Sequence, residues 1–550
     1  MTAVLAAILV VLGAAAWLGL LARITLVAAR MYQIEEYEAG RLFAWGGGRA
    51  WLLHRAVLVA AVAPAAVTIA ALVDPSAAPL RPLLAGTWLA GALAAQPAWE
   101  WLPPKKALVF TPRLRRLLAS AAVLAVLVAA GICAAVLLAP VWLAGVLLVV
   151  ATAATTLLSM VLLVAANSAN RPAEARVRAG FLDAARRRVE QVDPLVIAVA
   201  GSYGKTSTKH ILAHFLEQYG PTLATPKSFN TLMGVSRTIN DMLEDRHRTF
   251  IVEMDAYAPG EIASICALVR PRHALLTSVG PQHLERFGTV DRIADALYET
   301  VDALPATGFA VVYAGDAATA ALATRARAVG REVISYGIEG DAIDLDVVAE
   351  DVQITGSGSR FAWTWPVAGL RHEVNVPLLG RHQVLNVSAA LATVHRLGLP
   401  LEPALAAAAT LAPVDHRLQP VATGNAITVI DDSYNANPVG VHNGLEVLAE
   451  LDARQRILVT PGLVELGALE DAENRRYGEH AARVCDHVIV MDARPARALR
   501  EGLRAGGMAD DRVHVVRSLA EATVVIGRIA TAGDAVLFAN DLPDTYLGAA

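Results

Sequence analysis

Residues 199–209, VAGSYGKTSTK, crowd two glycines, two lysines and a run of hydroxyl side chains into one short segment. The segment follows the apolar stretch Leu195–Ala200 and precedes Ile211, Leu212, Phe215 and Leu216, which recur at helical spacing. Strand, glycine turn, Lys-Thr and helix make a phosphate cradle, because backbone N–H groups and the helix N-terminus then face the anion. Gly201, Ser202, Gly204, Lys205, Thr206 and Ser207 would line it, with Lys205 as a point charge and Thr206 as a ligand for Mg2+. Val199 stands where the full Walker pattern has its first glycine, so an ordinary strand-to-helix turn is the plain alternative. Two further chemistry-bearing positions lie at strand ends, where open α/β sheets bind ligands: Glu253 closes one strand, and Gln282 and His283 follow another. Taken singly, His283 reads as a helix-cap or core histidine. Beside a phosphate loop and Glu253 it completes a set, Thr206, Glu253 and His283, suited to a divalent cation held partly by phosphates.

The elements that position these residues follow from the pattern. Residues 248–254 and 273–279 read as strands with helices between and after them, and 344–376 as a β-rich patch. A new α/β series starts near residue 414, with strands at 427–432, 457–460, 487–491, 513–516 and 535–539. The expected fold class is a multi-pass α-helical membrane domain followed by α/β. The expected domains are 1–166 (membrane), 167–193 (an Arg-rich linker helix), 194–413 (ATP-binding) and 414–550 (a second, smaller parallel-sheet unit).

Composition supports the division. The mean hydropathy of +0.46 is high, and the apolar excess lies before residue 167. Five stretches, 3–29, 52–73, 80–99, 117–138 and 141–166, are long enough to cross a bilayer of about 30 Å. Arg and Lys cluster after the first, third and fifth, which places the N-terminus outside and residues 167–550 in the cytoplasm of a cell-membrane protein. The connector 31–41, MYQIEEYEAGR, reads as an interfacial amphipathic segment, with a substrate contact as the alternative. Three scattered cysteines, Cys133, Cys266 and Cys485, fit a reduced cytosolic compartment. A net charge of −4 argues against nucleic acid as a partner. Only 5 lysines stand against 42 arginines, and three of them, Lys205, Lys209 and Lys227, fall in or just after the phosphate loop.

The cytoplasmic half resembles the Mur ligase family, most of all its D-alanyl-D-alanine-adding branch. The phosphate loop matches in order, as do ATPKSFNTLMGV (224–235), EMDAYAPGEI (253–262), SVGPQHLERFG (278–288), LGRHQVLNVSAA (379–390), Arg417 and DDSYNANP (431–438). The resemblance implies a P-loop central domain and a Rossmann-like C-terminal domain. It also implies ATP contacts at Asn230, Gln383, Asn386, Arg417, Asp432, Tyr434 and Asn435, and catalytic roles for Lys205, His283 and Arg417. The implied reaction is ATP-dependent: a carboxylate is phosphorylated to an acyl phosphate, and an amine displaces phosphate to form an amide. Its implied partners are a carboxylate-bearing envelope precursor, with a lipid-linked one suggested by the spans, and an amino acid or dipeptide amine. Leu297 stands where the family has a carbamylated lysine, with Glu299 as a substitute anion, so a second metal position should be weakly held. Gln383 replaces the family's usual asparagine, and membrane spans replace its UDP-sugar domain. A ligase for another acidic polymer, such as poly-γ-glutamate, and a nucleotide-binding membrane scaffold are the competing readings.

Overall fold

The computed structural model describes residues 2–540 except 36, 49–50, 74–79, 97–107, 283, 342–344, 356–357, 414–415, 422–425, 434–436, 465 and 493–494. Two compact units divide the chain, Met1–Ala179 and Gly180–Ala550.

The first unit is helical, as its long apolar runs require. Val4–Ile34, Arg55–Val73 and Pro112–Leu138 are long and apolar enough to cross a membrane. The pair Val141–Ala153 and Thr155–Val192 makes a fourth only if a 72° bend is counted as one broken span. Among the described residues, three helices, or four with the bent pair, pass this test where five spans were expected. The expected third span is the helix Leu80–Ala94, whose 15 residues rise about 22 Å, short of the hydrocarbon thickness. Gln96 follows it and turns its amide onto the Ala16 and Ala92 carbonyls, at 2.9 and 3.3 Å. The bend has a local cause as well. The Thr155 hydroxyl donates to the Ala151 and Thr152 carbonyls, at 3.0 and 2.7 Å, in competition with the helix backbone. It also accepts the Trp17 indole N–H at 2.9 Å.

The 31–41 connector is packed within the unit. The first helix runs on to Ile34, Tyr32 is buried with its hydroxyl accepting from Asn167 at 3.0 Å, and the Arg113 guanidinium lies 3.8 Å over the Tyr37 ring. The linker helix expected at 167–193 is the end of Thr155–Val192.

The second unit holds two sheets. The strands of the first are β1 (Leu195–Ala200), β2 (Thr222–Ala224), β3 (Thr249–Glu253), β4 (His273–Leu276), β5 (Phe309–Tyr313), β6 (Glu332–Ile338), β7 (Val347–Thr355), β8 (Gly358–Trp365) and β9 (Leu370–Val376). Their order is β2-β3-β1-β4-β5-β6-β7-β8-β9. Pairing is parallel as far as β7 and antiparallel from β7 to β9, so the β-rich patch extends the same sheet. β1 lies inside it with both faces covered. Ile197 and Val199 pack on Ile211 and Phe215, whereas Val196, Ala198 and Ala200 pack on the opposite side with Ile293 and Ala296. That burial explains an apolar run without alternation.

The second sheet comprises β10 (Gln419–Val421), β11 (Thr428–Asp432), β12 (Arg456–Thr460), β13 (His487–Met491), β14 (Val513–Val516) and β15 (Ala535–Ala539), in the order β10-β11-β15-β12-β13-β14. Its five longer strands fall within a residue of their expected places. β10 was not expected, because three residues around Pro420 carry little strand signal, and it pairs antiparallel at the edge.

Candidate active site

The phosphate loop leaves the C-terminal end of β1, and Lys205 opens the helix Lys205–Leu216. Two of its glycines are dictated by space. A Cβ on Gly201 (φ +142) would meet Thr277 Oγ1 at 2.0 Å, and one on Gly204 (φ +80) would meet Asn386 Oδ1 at 2.8 Å. Lys205 is buried, and its Nζ donates to the Gly201 carbonyl at 2.6 Å, the Ser202 carbonyl at 3.2 Å and Gln282 Oε1 at 3.2 Å.

One turn later, Lys209 lies fully buried with its Nζ 2.9 Å from Glu253 Oε2 and 2.8 Å from the Lys227 carbonyl. Glu253 Oε1 accepts from Thr206 Oγ1 and Asn230 Nδ2, each at 3.1 Å. Burial alone would raise the Glu253 carboxyl. The Lys209 ammonium, then Lys205 and the Asn230 amide, hold it below the ordinary carboxylate range. Burial pulls Lys209 down, with Glu253 acting against it. Thr206 and Glu253, expected together with His283, are thus in contact, and Asn230 joins them.

The helix Arg381–Arg396 closes the other side. Asn386 accepts from Thr208 Oγ1 at 3.0 Å and donates to Gln383 Oε1 at 3.1 Å, so the exchanged amide at 383 still serves the loop. A cleft of about 370 Å³ is lined by Gly204, Ser207, Gln383, Asn386, Arg417 and Asp432, residues drawn from both sheets' surroundings. Asp432 is pushed up to about 7 by burial, against the Leu418 N–H at 3.1 Å and the Arg417 guanidinium. His382 is held down at about 4 by burial and by Arg417, and its Nδ1 is sealed without a hydrogen-bond partner. A larger groove, about 1040 Å³, lies around Pro194, Arg270 and Arg272 at the opposite strand ends, away from the phosphate loop. Chemistry, not size, identifies the smaller cleft as the site.

His283, Tyr434 and Asn435 lie outside the described residues. Glu299 does not stand in for the family's modified lysine. Its carboxylate caps the helix Glu261–Val269, accepting from the Gly260 and Ala263 N–H groups at 2.7 and 2.9 Å. Leu297 does face the loop, across a small cavity that also touches Gly201, Ser202 and Asp255. Among the described residues, no cluster of three or more His, Cys, Asp or Glu groups is arranged for a metal. The hard oxygens of Thr206 and Glu253, 3.1 Å apart, nevertheless suit a Mg2+ completed by phosphate oxygens.

Tyr313 and Tyr336 were not foreseen at the site, and Tyr203, Lys209 and His382 fell inside the quoted segments without a role assigned to them. Lys209 had a signal, one helical turn beyond Lys205 on the same face. His382 adjoins Gln383 in the segment 379–390, whereas the two strand tyrosines had no signal, since only the sheet order brings them to the cleft.

Comparison with known families decides what this geometry belongs to. Residues 199–394 match the Mur ligase middle domain, and residues 416–540 match the Mur ligase glutamate ligase domain. The chain belongs to the Mur ligase family. The UDP-N-acetylmuramoyl-tripeptide–D-alanyl-D-alanine ligase of Escherichia coli K12 is 33% identical over 330 residues, 60% of this chain and 71% of that one. The enzyme of the same name from Mycobacterium leprae is 32% identical over 365 residues, 62% and 70% of the two chains. Among solved structures, MurF from Acinetobacter baumannii superposes with a TM-score of 0.59 at 27% identity, covering 66% of this chain and 77% of that one. MurF from Thermotoga maritima in complex with ADP shares the fold, with a TM-score of 0.58 at 24% identity over 66% and 80%. This Mur ligase is an ATP-dependent amide ligase, and its relatives place it in peptidoglycan synthesis. The membrane-length helices before residue 180 lie outside both matched domains.

Proposed function

We propose that this ligase joins a carboxylate-bearing cell-wall precursor to an amino acid or dipeptide amine at the cytoplasmic face of the cell membrane, through an acyl phosphate. The observation that carries the reading is the cleft in which Gly204, Ser207, Gln383 and Asn386 face Arg417 and Asp432. It joins a phosphate loop on one sheet to charged groups at the edge of the other. The relatives named above act on a UDP-muramoyl tripeptide and D-alanyl-D-alanine, which suggests the same classes of carboxylate and amine here. Residues 1–166 then serve as the membrane domain, 167–193 as the linker, 194–413 as the ATP-binding domain and 414–550 as a Rossmann-like domain closing over it.

The roles follow from chemistry. A carboxylate and an ammonium do not condense in water at pH 7, so an activated leaving group is required. Gly201, Ser202, Gly204 and Ser207 wrap the ATP phosphates, and Lys205 turns to the transferring phosphate. Arg417 brings a second charge from the other sheet, and Gln383, Asn386, Asp432, Tyr434 and Asn435 hold the nucleoside. Thr206, Glu253 and His283 are the residues that would hold Mg2+, which supplies charge neutralisation on the phosphates. Closure of the second sheet's domain excludes water, which would otherwise hydrolyse the acyl phosphate. The membrane unit favours a precursor presented at the membrane surface on a lipid carrier.

The test uses the full chain in lipid nanodiscs with ATP and D-alanyl-D-alanine. UDP-linked and lipid-linked muramoyl tripeptide are offered separately, and products are identified by mass spectrometry. Amide formation on the lipid-linked acceptor supports the reading, and amide only on the UDP-linked one reduces the membrane unit to an anchor. Lys205→Ala should lower phosphate release by about 10²–10³. ATP turnover at the parent rate in that variant would remove the phosphate-loop assignment.

A further inference from the structure

Tyr203 lies inside the phosphate loop, one residue before Gly204, and has no part in the chemistry given above. Its backbone is fixed. Tyr203 bridges Ser278, its carbonyl accepts from Thr277 Oγ1, and the neighbouring Ser202 N–H donates to the Ser278 carbonyl at 2.6 Å. The side chain is fixed as well. A Cβ on Gly280 would meet Tyr203 Cε2 at 2.3 Å and the hydroxyl oxygen at 2.7 Å, so the ring lies directly on that glycine. Tyr203 also lines the cleft that the phosphate loop shares with Arg417 and Asp432. Its hydroxyl oxygen is buried and, among the described residues, has no hydrogen-bond partner.

The charge that acts on this phenol belongs to the second sheet's domain. It is Glu473, in the first turn of the helix Glu470–Val484. The Glu473 side chain is mostly buried, at 13% exposed. Its Oε1 accepts from Arg476 at 2.8 Å, and among the described residues its Oε2 has no hydrogen-bond partner. Burial, with Glu473 adding to it, pushes the Tyr203 phenol above its ordinary value, so the group is a neutral donor at pH 7. A desolvated O–H donor and an unused carboxylate oxygen thus stand in the two sheets' domains with no hydrogen bond between them. Leaving both unmet is unfavourable, whereas joining them makes a charge-assisted hydrogen bond.

We propose that Tyr203 and Glu473 form the catch that holds the second sheet's domain closed over the phosphate loop, the phenol donating to the free Glu473 oxygen. Both are positioning residues, since neither touches the reacting atoms. Arg417 and Glu473 ride on the same domain, so the catch also fixes Arg417 at the phosphates. It matters most once the acyl phosphate has formed, when water competes with the amine. The inference rests on the ligase reading, yet the two fail separately. Lys205→Ala tests that reading, whereas the catch is tested against an active parent and by a distance that needs no turnover.

The experiment compares the full-length parent, Tyr203→Phe, Glu473→Ala and the double variant in nanodiscs. ATP, D-alanyl-D-alanine and UDP-linked or lipid-linked muramoyl tripeptide are supplied, amide and phosphate are counted together, and KM for ATP is measured. On the same variants in a Cys133→Ser background, spin labels at Val329→Cys and Val524→Cys, both exposed positions, report the separation of the two domains with a non-hydrolysable ATP analogue. Tyr203→Phe removes an unpartnered oxygen, so its melting temperature without nucleotide should equal or exceed the parent's, which checks the fold. Each single variant should form amide with a kcat about tenfold lower and release more phosphate per amide, with ATP KM within about twofold. The double variant should be no worse than either single one. The analogue should shorten the label separation in the parent and not in the variants. Losses that multiply to about a hundredfold in the double variant would overturn the proposal, as would values all within about twofold of the parent. So would a raised ATP KM in Tyr203→Phe alone, which would give the hydroxyl to the nucleotide, or the same label separation in parent and variants.

Discussion

At the scale of single residues, the site is organised around charges that cannot be removed one at a time. Lys209 and Glu253 are almost wholly sequestered, with side chains 0% and 2% exposed. Removing one partner of such a pair leaves the other buried and uncompensated, at a cost of about 3–5 kcal/mol. Lys209→Met should therefore lower the unfolding free energy of the second unit by that order in urea titrations, and a change below about 1 kcal/mol would show that Glu253 finds another partner. Asp432 gives a pH signature. Its carboxyl sits near 7 in the fold, above its ordinary value, so the folded chain holds a proton that the unfolded chain has released. Its contribution is complete below the unfolded value and is lost as pH rises towards 7. Asp432→Asn should accordingly gain melting temperature relative to the parent between pH 5 and pH 8, a trend that differential scanning fluorimetry would detect. A constant difference across that range would mean that Asp432 is ionised throughout. Much of this chemistry was legible beforehand. Thr206 and Glu253, two of the three residues expected to gather Mg2+, lie 3.1 Å apart because both sit at strand ends where open α/β sheets bind ligands, and the third, His283, is outside the described residues. The pairing of Lys205 Nζ with Asp255 Oδ1, at 3.4 Å, was not legible, since it depends on how β1 and β3 sit side by side.

At the scale of elements, the correction at Glu299 is the most instructive. The sequence places it two residues past Leu297 on the helix Val290–Asp302, and on a helix that step turns the side chain to a different face. Leu297 looks at the phosphate loop, whereas Glu299 looks at the start of the helix Glu261–Val269 and satisfies two of its N-terminal N–H groups. Glu299→Ala should cost about 1 kcal/mol of stability, as lost caps do, and leave ATP turnover near the parent value. A collapse of turnover with unchanged stability would return Glu299 to the catalytic site. The first, helical unit shows the same limit. Apolar composition marked each helix, but not where one ends at Ala94 or where another breaks near Thr155, beside which Gln96 and Thr155 turn their side chains onto carbonyls.

At the scale of the whole molecule, charge asymmetry predicts the orientation of the proposed membrane spans. Reporters fused at Ala77 and at Arg113 should read external and internal respectively, the charge asymmetry requiring the stretch around the 15-residue helix Leu80–Ala94 to cross despite its length; the same side at both would mean that this helix does not span. Reversal at either position would defeat the proposed topology. The sequence by itself determined the division into an apolar helical part and an α/β part, the phosphate loop, the family and the second sheet's longer strands. All of these rest on local periodicity or on motifs whose residues are neighbours along the chain. Tertiary structure alone decided that β7 to β9 extend the first sheet, that Tyr313 and Tyr336 reach the cleft, and that Asp255 faces Lys205. The physical reason is common to all three. Strand order and helix-face direction join residues far apart in the chain, and a residue's identity does not state which distant neighbour it will meet.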